Sequence, residues 1–272
     1  MYRLVAADLD GTLLRDDKTI SDKTIEELNR INNLGVIFLP STGRTHRELP
    51  KVLMDLPFLR YALCCNGGSI YDYKEDKYIY ENAIPYDMAL EVLDYVKDLP
   101  VYESVVVKGR RLASGSEDGK VCEYVSEHAV KGILFNITGT PDIKKSFMEM
   151  NADAQKFLLY LENPNDKDEI MNNLKNRFPD LSIASSGPLF VEVNTKGVDK
   201  GKALVKLCEL LNISIEDTIA FGDAENDLAM LDAAGIAVVM ENGTENTKAH
   251  ADRICPSNND DGMRITLEEL IK

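Results

Sequence analysis

Asp8-Leu9-Asp10-Gly11-Thr12-Leu13 follows directly on a short apolar run, Leu4 to Ala7, near the start of this 272-residue chain. Side chains two apart on an extended segment point the same way, so a strand at 4–7 carries Asp8 and Asp10 together beyond its C-terminal end. Two carboxylates that close repel each other, and one pKa rises unless a cation joins them. The chemistry this leaves open is a metal site, or an ionised nucleophile beside a protonated acid. An acidic Asp-Gly turn is the bland alternative.

Three further segments carry residues of chemical interest. Phe221-Gly222-Asp223-Ala224-Glu225-Asn226-Asp227 again places an acid, Asp223, after an apolar run, with Asn226 and Asp227 where a helix begins. A helix start offers unbonded N–H groups and suits an anion or a bridged cation, although Asp227 can also serve as a cap. In Ser41-Thr42-Gly43-Arg44 a hydroxyl and a glycine N–H precede a helical stretch, which fits either a phosphate oxygen or an ordinary turn. Lys200, in Gly197-Val198-Asp199-Lys200-Gly201-Lys202, opens a helix against the dipole preference, so a neighbouring negative charge is expected.

The elements around these segments follow from periodicity. Strand-sized apolar runs fall at Leu4–Ala7, Val36–Leu39 and Tyr61–Cys65, with a helix after Ser21 (Ile25, Leu28, Ile31, stopping at Gly35) and another around Leu49–Leu56. This βαβαβ order predicts parallel strands with right-handed crossovers. The alternation resumes after Asn194, with helices at Lys200–Leu211 and Asn226–Ala234 and strands at Thr218–Phe221 and Ile236–Val239. Between them, neighbouring strand candidates (Tyr102–Val107, Lys156–Leu161, Leu181–Ser185, Leu189–Asn194) mix with helices, as in an α+β unit. The expected architecture is α/β: a doubly wound parallel-sheet core over 1–83 and 188–272, interrupted by an inserted α+β cap over 84–187. All four chemical segments then fall after a core strand or before a core helix. In open α/β sheets that edge is where ligands bind.

Composition narrows the field. Lys and Arg total 31 against 46 Asp and Glu, a net charge of −15. Such a balance argues against nucleic acid or an anionic membrane as partner, since both require a basic face. No apolar run approaches the ~20 residues of a spanning helix. The five cysteines show no C-x-x-C pair, and a reduced, cytoplasmic protein is expected.

The chain resembles the haloacid dehalogenase superfamily, specifically its Cof-type phosphatases with a type IIB cap. D-L-D-G-T-L-L is similar to the first motif of that family, S-T-G-R to the second, V-D-K-G-K-A-L to the third and G-D-A-E-N-D-L-A-M to the fourth. The resemblance implies Asp8 as the nucleophile that forms an aspartyl-phosphate, and Asp10 as the acid and then the base. It implies Mg²⁺ held by Asp8, the backbone carbonyl of Asp10, and Asp223, with Asp227 and Arg44 in support. Phosphate oxygens would be held by Leu9 N–H, Thr42, Gly43 N–H, Lys200 and Asn226. The implied substrate is a small phosphorylated metabolite. The interval from Asp8 to Thr42 is too short for an extra domain, whereas that from Thr42 to Lys200 accommodates the insert. Within the insert, Lys108, Arg110 and Arg111 are candidate substrate-facing cations or part of a solvated hairpin. A phosphomutase on the same core is the nearest alternative. A phospho-aspartate signalling module fits less well, since it typically lacks a large insert.

Overall fold

A computed structural model describes residues 2–116, 118–128 and 136–272; residues 117 and 129–135 of the expected insert lie outside the described set. The chain divides into two units. One comprises Met1–Arg44, Leu49–Tyr80 and Asp199–Lys272; the other comprises Thr45–Glu48 and Glu81–Val198.

In the first unit, β1 (Leu4–Ala7) lies between β2 (Ile37–Pro40) and β12 (Thr218–Gly222). β13 (Ile236–Met240) and β14 (Arg253–Cys255) extend the sheet beyond β12. Every pairing is parallel, with Ala6 beside Leu39 on one side and Ala220 on the other. Alternate residues of β1 face opposite ways, as strand geometry requires. Leu4 and Ala6 join a core with Ala203, Leu204 and Leu207 of α7 (Lys200–Leu211) and with Met230 and Leu231 of α8 (Leu228–Ala233). α1 (Asp22–Asn33), capped by Ser21 accepting from Thr24 N–H, packs with α10 (Gly262–Leu270). A short α9 spans Glu245–Lys248. Consecutive connections leave β1 towards β2 and return to it through β12, so β1 is the point where strand order reverses.

The expected third parallel strand is placed differently. β3 (Tyr61–Cys64) meets the end of β2 only through a parallel bridge between Ser41 and Leu63. It pairs antiparallel with β4 (Ser69–Asp72) in a separate three-stranded sheet completed by β5 (Lys77–Glu81). A four-residue strand buried on both faces reads the same in either direction, so its partner is set by the turn that follows. The helix expected around Leu49–Leu56 shortens to α2, Lys51–Met54.

The second unit is α+β. Its six-stranded sheet has the order β10 (Leu181–Gly187), β11 (Phe190–Thr195), β9 (Lys156–Leu161), β6 (Val101–Val107), β7 (Arg110–Ser114), β8 (Ile137–Thr140). All pairings are antiparallel except β7 with β8. α3 (Tyr86–Val96), α5 (Ile143–Met150) and α6 (Lys167–Arg177) supply Val92, Phe147 and Leu174 to one core, and α4 (Glu123–His128) supplies Val125 to a smaller one. Residues 188–198 belong here and not with the first unit, because β11 pairs with both β9 and β10.

The candidate cations of this unit have distinct surroundings. Lys108 donates to the Met150 carbonyl at 3.1 Å, and Arg110 is exposed. Arg111, in contrast to the expectation of a substrate-facing cation, is 3% exposed and forms a two-point pair with Glu48, itself 0% exposed (Nε to Oε1 3.0 Å, Nη2 to Oε2 3.2 Å). Asn136 also donates to Glu48 Oε1, and Thr45 N–H donates to Oε2. Burial pushes the Glu48 carboxyl up, but the guanidinium and these donors outweigh it and hold the group at about 2. A guanidinium committed to a buried carboxylate ties residues 45–48 into the second unit. Removing one partner of such a pair strands the other charge. Arg111→Met is therefore expected to cost about 3–5 kcal/mol, read as a lower urea midpoint. The double variant with Glu48→Leu should recover most of that loss, and a stable single variant would contradict the pairing.

Candidate active site

The β1 backbone continues through Asp8, whose N–H donates to the Phe221 carbonyl at 3.0 Å, and then turns so that Leu13 N–H returns to the Asp8 carbonyl. Asp8 thereby stands at the C-terminal end of the reversing strand. The ends of β2 and β12 flank it with Thr42 and Asp223. Lys200 begins α7 behind them, with its ammonium fully buried. Its Nζ lies 2.6 Å from Asp8 Oδ1 and 2.6 Å from Asp227 Oδ1, which answers why a lysine opens this helix. Asp227 commits its other oxygen to the N–H groups of Asp223 (3.0 Å) and Ala224 (3.1 Å). Asp223 Oδ1 accepts from the Thr12 hydroxyl at 2.6 Å.

Asp8 and Asp10 do not share a partner. The Asp10 side chain is 36% exposed and faces a different pair of cations. Arg44 donates to it from Nε (3.0 Å) and Nη2 (2.9 Å), and Lys18 Nζ approaches at 2.9 Å. Burial raises the Asp10 pKa, but Arg44 and Lys18 together outweigh it, and the net direction is downward. Asp8 and Asp223 move the other way. Burial, reinforced by neighbouring carboxylates, pushes Asp8 up to about 7 despite Lys200, and pushes Asp223 up to about 6 despite the Thr12 hydroxyl. Lys200 is also raised: burial opposes its charge, and Asp227 and Asp8 more than restore it.

Lys200 contacts two of the three clustered carboxylates, and one ammonium among three acids leaves a formal excess of two negative charges. Asp8, Asp223 and Asp227 each offer a carboxylate oxygen, all within 4.8 Å of one another. An all-oxygen donor set with that excess fits a hard divalent cation. Both Asp227 oxygens are already engaged, so Asp8 and Asp223 are the carboxylates that would ligate it. The Asp10 carboxylate belongs to Arg44 and Lys18 and lies outside this cluster.

A profile of the haloacid dehalogenase-like hydrolases matches residues 5–267, and it takes in all of these positions. The chain belongs to that family. Pyridoxal phosphate phosphatase YbhA of Escherichia coli is 28% identical to this haloacid dehalogenase-like hydrolase, over 96% of each chain. The 5-amino-6-(5-phospho-D-ribitylamino)uracil phosphatase YitU of Bacillus subtilis is also 28% identical, over 98% of this chain and 96% of its own. A crystal structure from Thermotoga maritima superposes with a TM-score of 0.88 at 29% identity, covering 100% of this chain and 98% of that one. The hydrolase is a phosphatase with a mixed α/β fold and a parallel-sheet core.

Thr42, Gly43, Lys200 and Asn226, the residues expected to hold phosphate, all lie in the first unit. Thr42 is buried, and its hydroxyl accepts from Arg44 N–H at 3.2 Å. Leu9 is buried, with its carbonyl taken by Leu14 N–H at 2.8 Å. Lys18 and Thr12 also touch the site acids without being marked as site residues by the sequence. Lys18 sits in a charged turn where nothing in type or spacing marks it. Thr12 could have been found as the hydroxyl of D-G-T, two residues beyond Asp10.

The raised carboxyl groups have a consequence for this hydrolase. A carboxyl whose native pKa exceeds its unfolded value takes up a proton on folding. The native state therefore keeps that stabilisation below the ordinary value of 3.8 and loses it as pH rises through about 6 and 7. In EDTA, the melting temperature is expected to fall between pH 5 and pH 8. Saturating divalent cation should remove most of the decline. A profile identical with and without cation would mean the cluster binds no metal.

Proposed function

We propose that the enzyme is a Mg²⁺-dependent phosphomonoesterase for small phosphorylated metabolites, working through an aspartyl-phosphate on Asp8. The observation that carries this reading is the buried Asp8–Lys200–Asp227 contact at the end of β1, with Asp223 beside it. Held by Asp8 and Asp223, Mg²⁺ would supply positive charge that lowers the repulsion between the carboxylates and a phosphate dianion.

This chain's own residues do the rest. Lys200, the Thr42 hydroxyl, the N–H groups of Leu9 and Gly43, and the Asn226 amide hold the phosphate oxygens. The ammonium also neutralises Asp8, which reduces its repulsion of an incoming dianion. An Asp8 oxygen attacks phosphorus in line as the bond to the leaving oxygen breaks, and Asp10 delivers a proton to that oxygen. Asp10, now ionised, takes a proton from water as the water attacks the same phosphorus, releasing inorganic phosphate and the Asp8 carboxylate. Arg44 and Lys18 favour the ionised form of Asp10, which is the form required in the second step. In the first step the substrate's own negative charge competes for those cations and returns proton affinity to the carboxyl.

The phosphate grip uses residues of the first unit alone, so the choice of leaving group is assigned to the inserted unit, the proposed cap. YbhA and YitU are named for different substrates and are equally similar to this chain, so identity does not select between them. No disulfide joins the five cysteines, which supports a reducing, cytoplasmic setting.

Asp8→Asn should reduce phosphate release by roughly 10⁴-fold or more, since the nucleophile is lost. For Asp10→Asn the expected loss is about 10²- to 10⁴-fold on an alkyl phosphate. Measured as kcat/KM, which reports the first step alone, the Asp10→Asn loss should be far smaller on p-nitrophenyl phosphate, whose leaving group needs no proton, while kcat still falls because the base of the second step is gone. Equal kcat/KM losses on both substrates would remove Asp10 from the role of acid.

A further inference from the structure

The turn between β3 and β4, Cys65-Asn66-Gly67, belongs to none of the four segments that carry the chemistry above. Three successive residues there have positive φ: 54°, 56° and 100°. For Cys65 this region is unfavourable, although Asn and Gly enter it more readily, and a run of three persists only where its surroundings fix it. Here they do. Cys65 N–H donates to the Arg44 carbonyl at 2.9 Å, and Asn66 N–H donates to the Thr42 carbonyl at 3.0 Å. Gly67 packs against the start of α7, where a Cβ would fall 2.1 Å from the Asp199 carbonyl oxygen. One short turn therefore contacts both the Thr42–Arg44 loop and the residue preceding Lys200.

The side chain of Asn66 completes the set. Its amide lies across Gly43, where an added Cβ would meet Oδ1 at 3.0 Å and Nδ2 at 3.4 Å. Asn226 Nδ2 points to Asn66 Oδ1 at 3.5 Å. A carboxamide can present either its N–H₂ or its oxygen to a ligand, and an anion is held only by the first. An acceptor that takes one Asn226 N–H fixes the flip and leaves the other N–H for a phosphate oxygen.

We propose that Asn66 is a positioning residue of the phosphate grip, which orients the Asn226 amide and confines the Gly43 peptide from the left-handed turn at 65–67. The proposal rests on the assignment of Asn226 and Gly43 to phosphate made above. Asn66→Gly keeps the left-handed backbone and removes only the amide. Asn66→Asp keeps shape and backbone tolerance but places a negative charge against the grip.

The test measures inorganic phosphate binding, from its thermal stabilisation of the Mg²⁺-loaded enzyme, together with kcat and KM. Without phosphate, both variants should melt within a few degrees of the parent. Asn66→Gly should weaken phosphate binding and lower kcat/KM by roughly tenfold, and Asn66→Asp by more. The double variant Asn66→Gly/Asn226→Ala should bind phosphate no worse than Asn226→Ala alone, because the two residues act as a unit. Parental phosphate affinity in both Asn66 variants, or losses that multiply in the double variant, would overturn the proposal. If Asn226→Ala by itself leaves phosphate affinity unchanged, the assignment of Asn226 to phosphate fails, and the proposal falls with that assignment.

Discussion

A single buried ammonium, Lys200, sets the terms for everything around it. Removing a charge from water is costly, and the cost is offset only by close, well-formed partners. Asp8 and Asp227 supply them at 2.6 Å each. Asp227 then organises the loop after β12 by receiving the N–H groups of Asp223 and Ala224. The helix start, the end of β1 and the fourth motif are thus tied through one cation. That cation does not neutralise all three acids, and the remaining imbalance is what a divalent metal would satisfy. The order of strands makes this possible, since only the reversing strand β1 has both β2 and β12 as neighbours.

Much of this arrangement is legible in the sequence. Lys200 at a helix start contradicts the dipole preference, and that contradiction points to an unseen negative charge. Asp8 and Asp223 each follow a buried strand, and a parallel sheet brings such ends together. The partners of Asp10 are not legible, because which cation reaches it depends on how the loop at 15–19 folds back, and a charged turn has no directional code. The direction of β3 and the boundary near Val198 are hidden for a related reason. Short apolar strands carry no label for their neighbour, so residues 188–195 read equally well in either unit. Arg111 shows the converse failure, in which a cation in a charged stretch has its carboxylate partner more than sixty positions away.

The net charge of −15 looks unpromising for an enzyme of phosphorylated compounds. The resolution is local. Lys200, Arg44 and Lys18 are placed among the acids of the first unit, each within hydrogen-bonding distance of Asp8 or Asp10. Fields fall off within about a Debye length, ~8 Å at physiological salt, so distant surface acids contribute little there. Global charge governs which large partners the protein repels, and a handful of placed charges governs the site.

The left-handed run at 65–67 also bears on how such a protein can diverge. Few residue types occupy that region of backbone space without strain, and the Asp199 carbonyl leaves no room for any side chain at 67. Genetic drift is thereby narrowed at the end of the molecule proposed to grip phosphate, whatever the rest of the substrate looks like. New specificity would then arise by substitutions elsewhere in the chain. A mutational library aimed at a different metabolite gains by holding these three positions fixed.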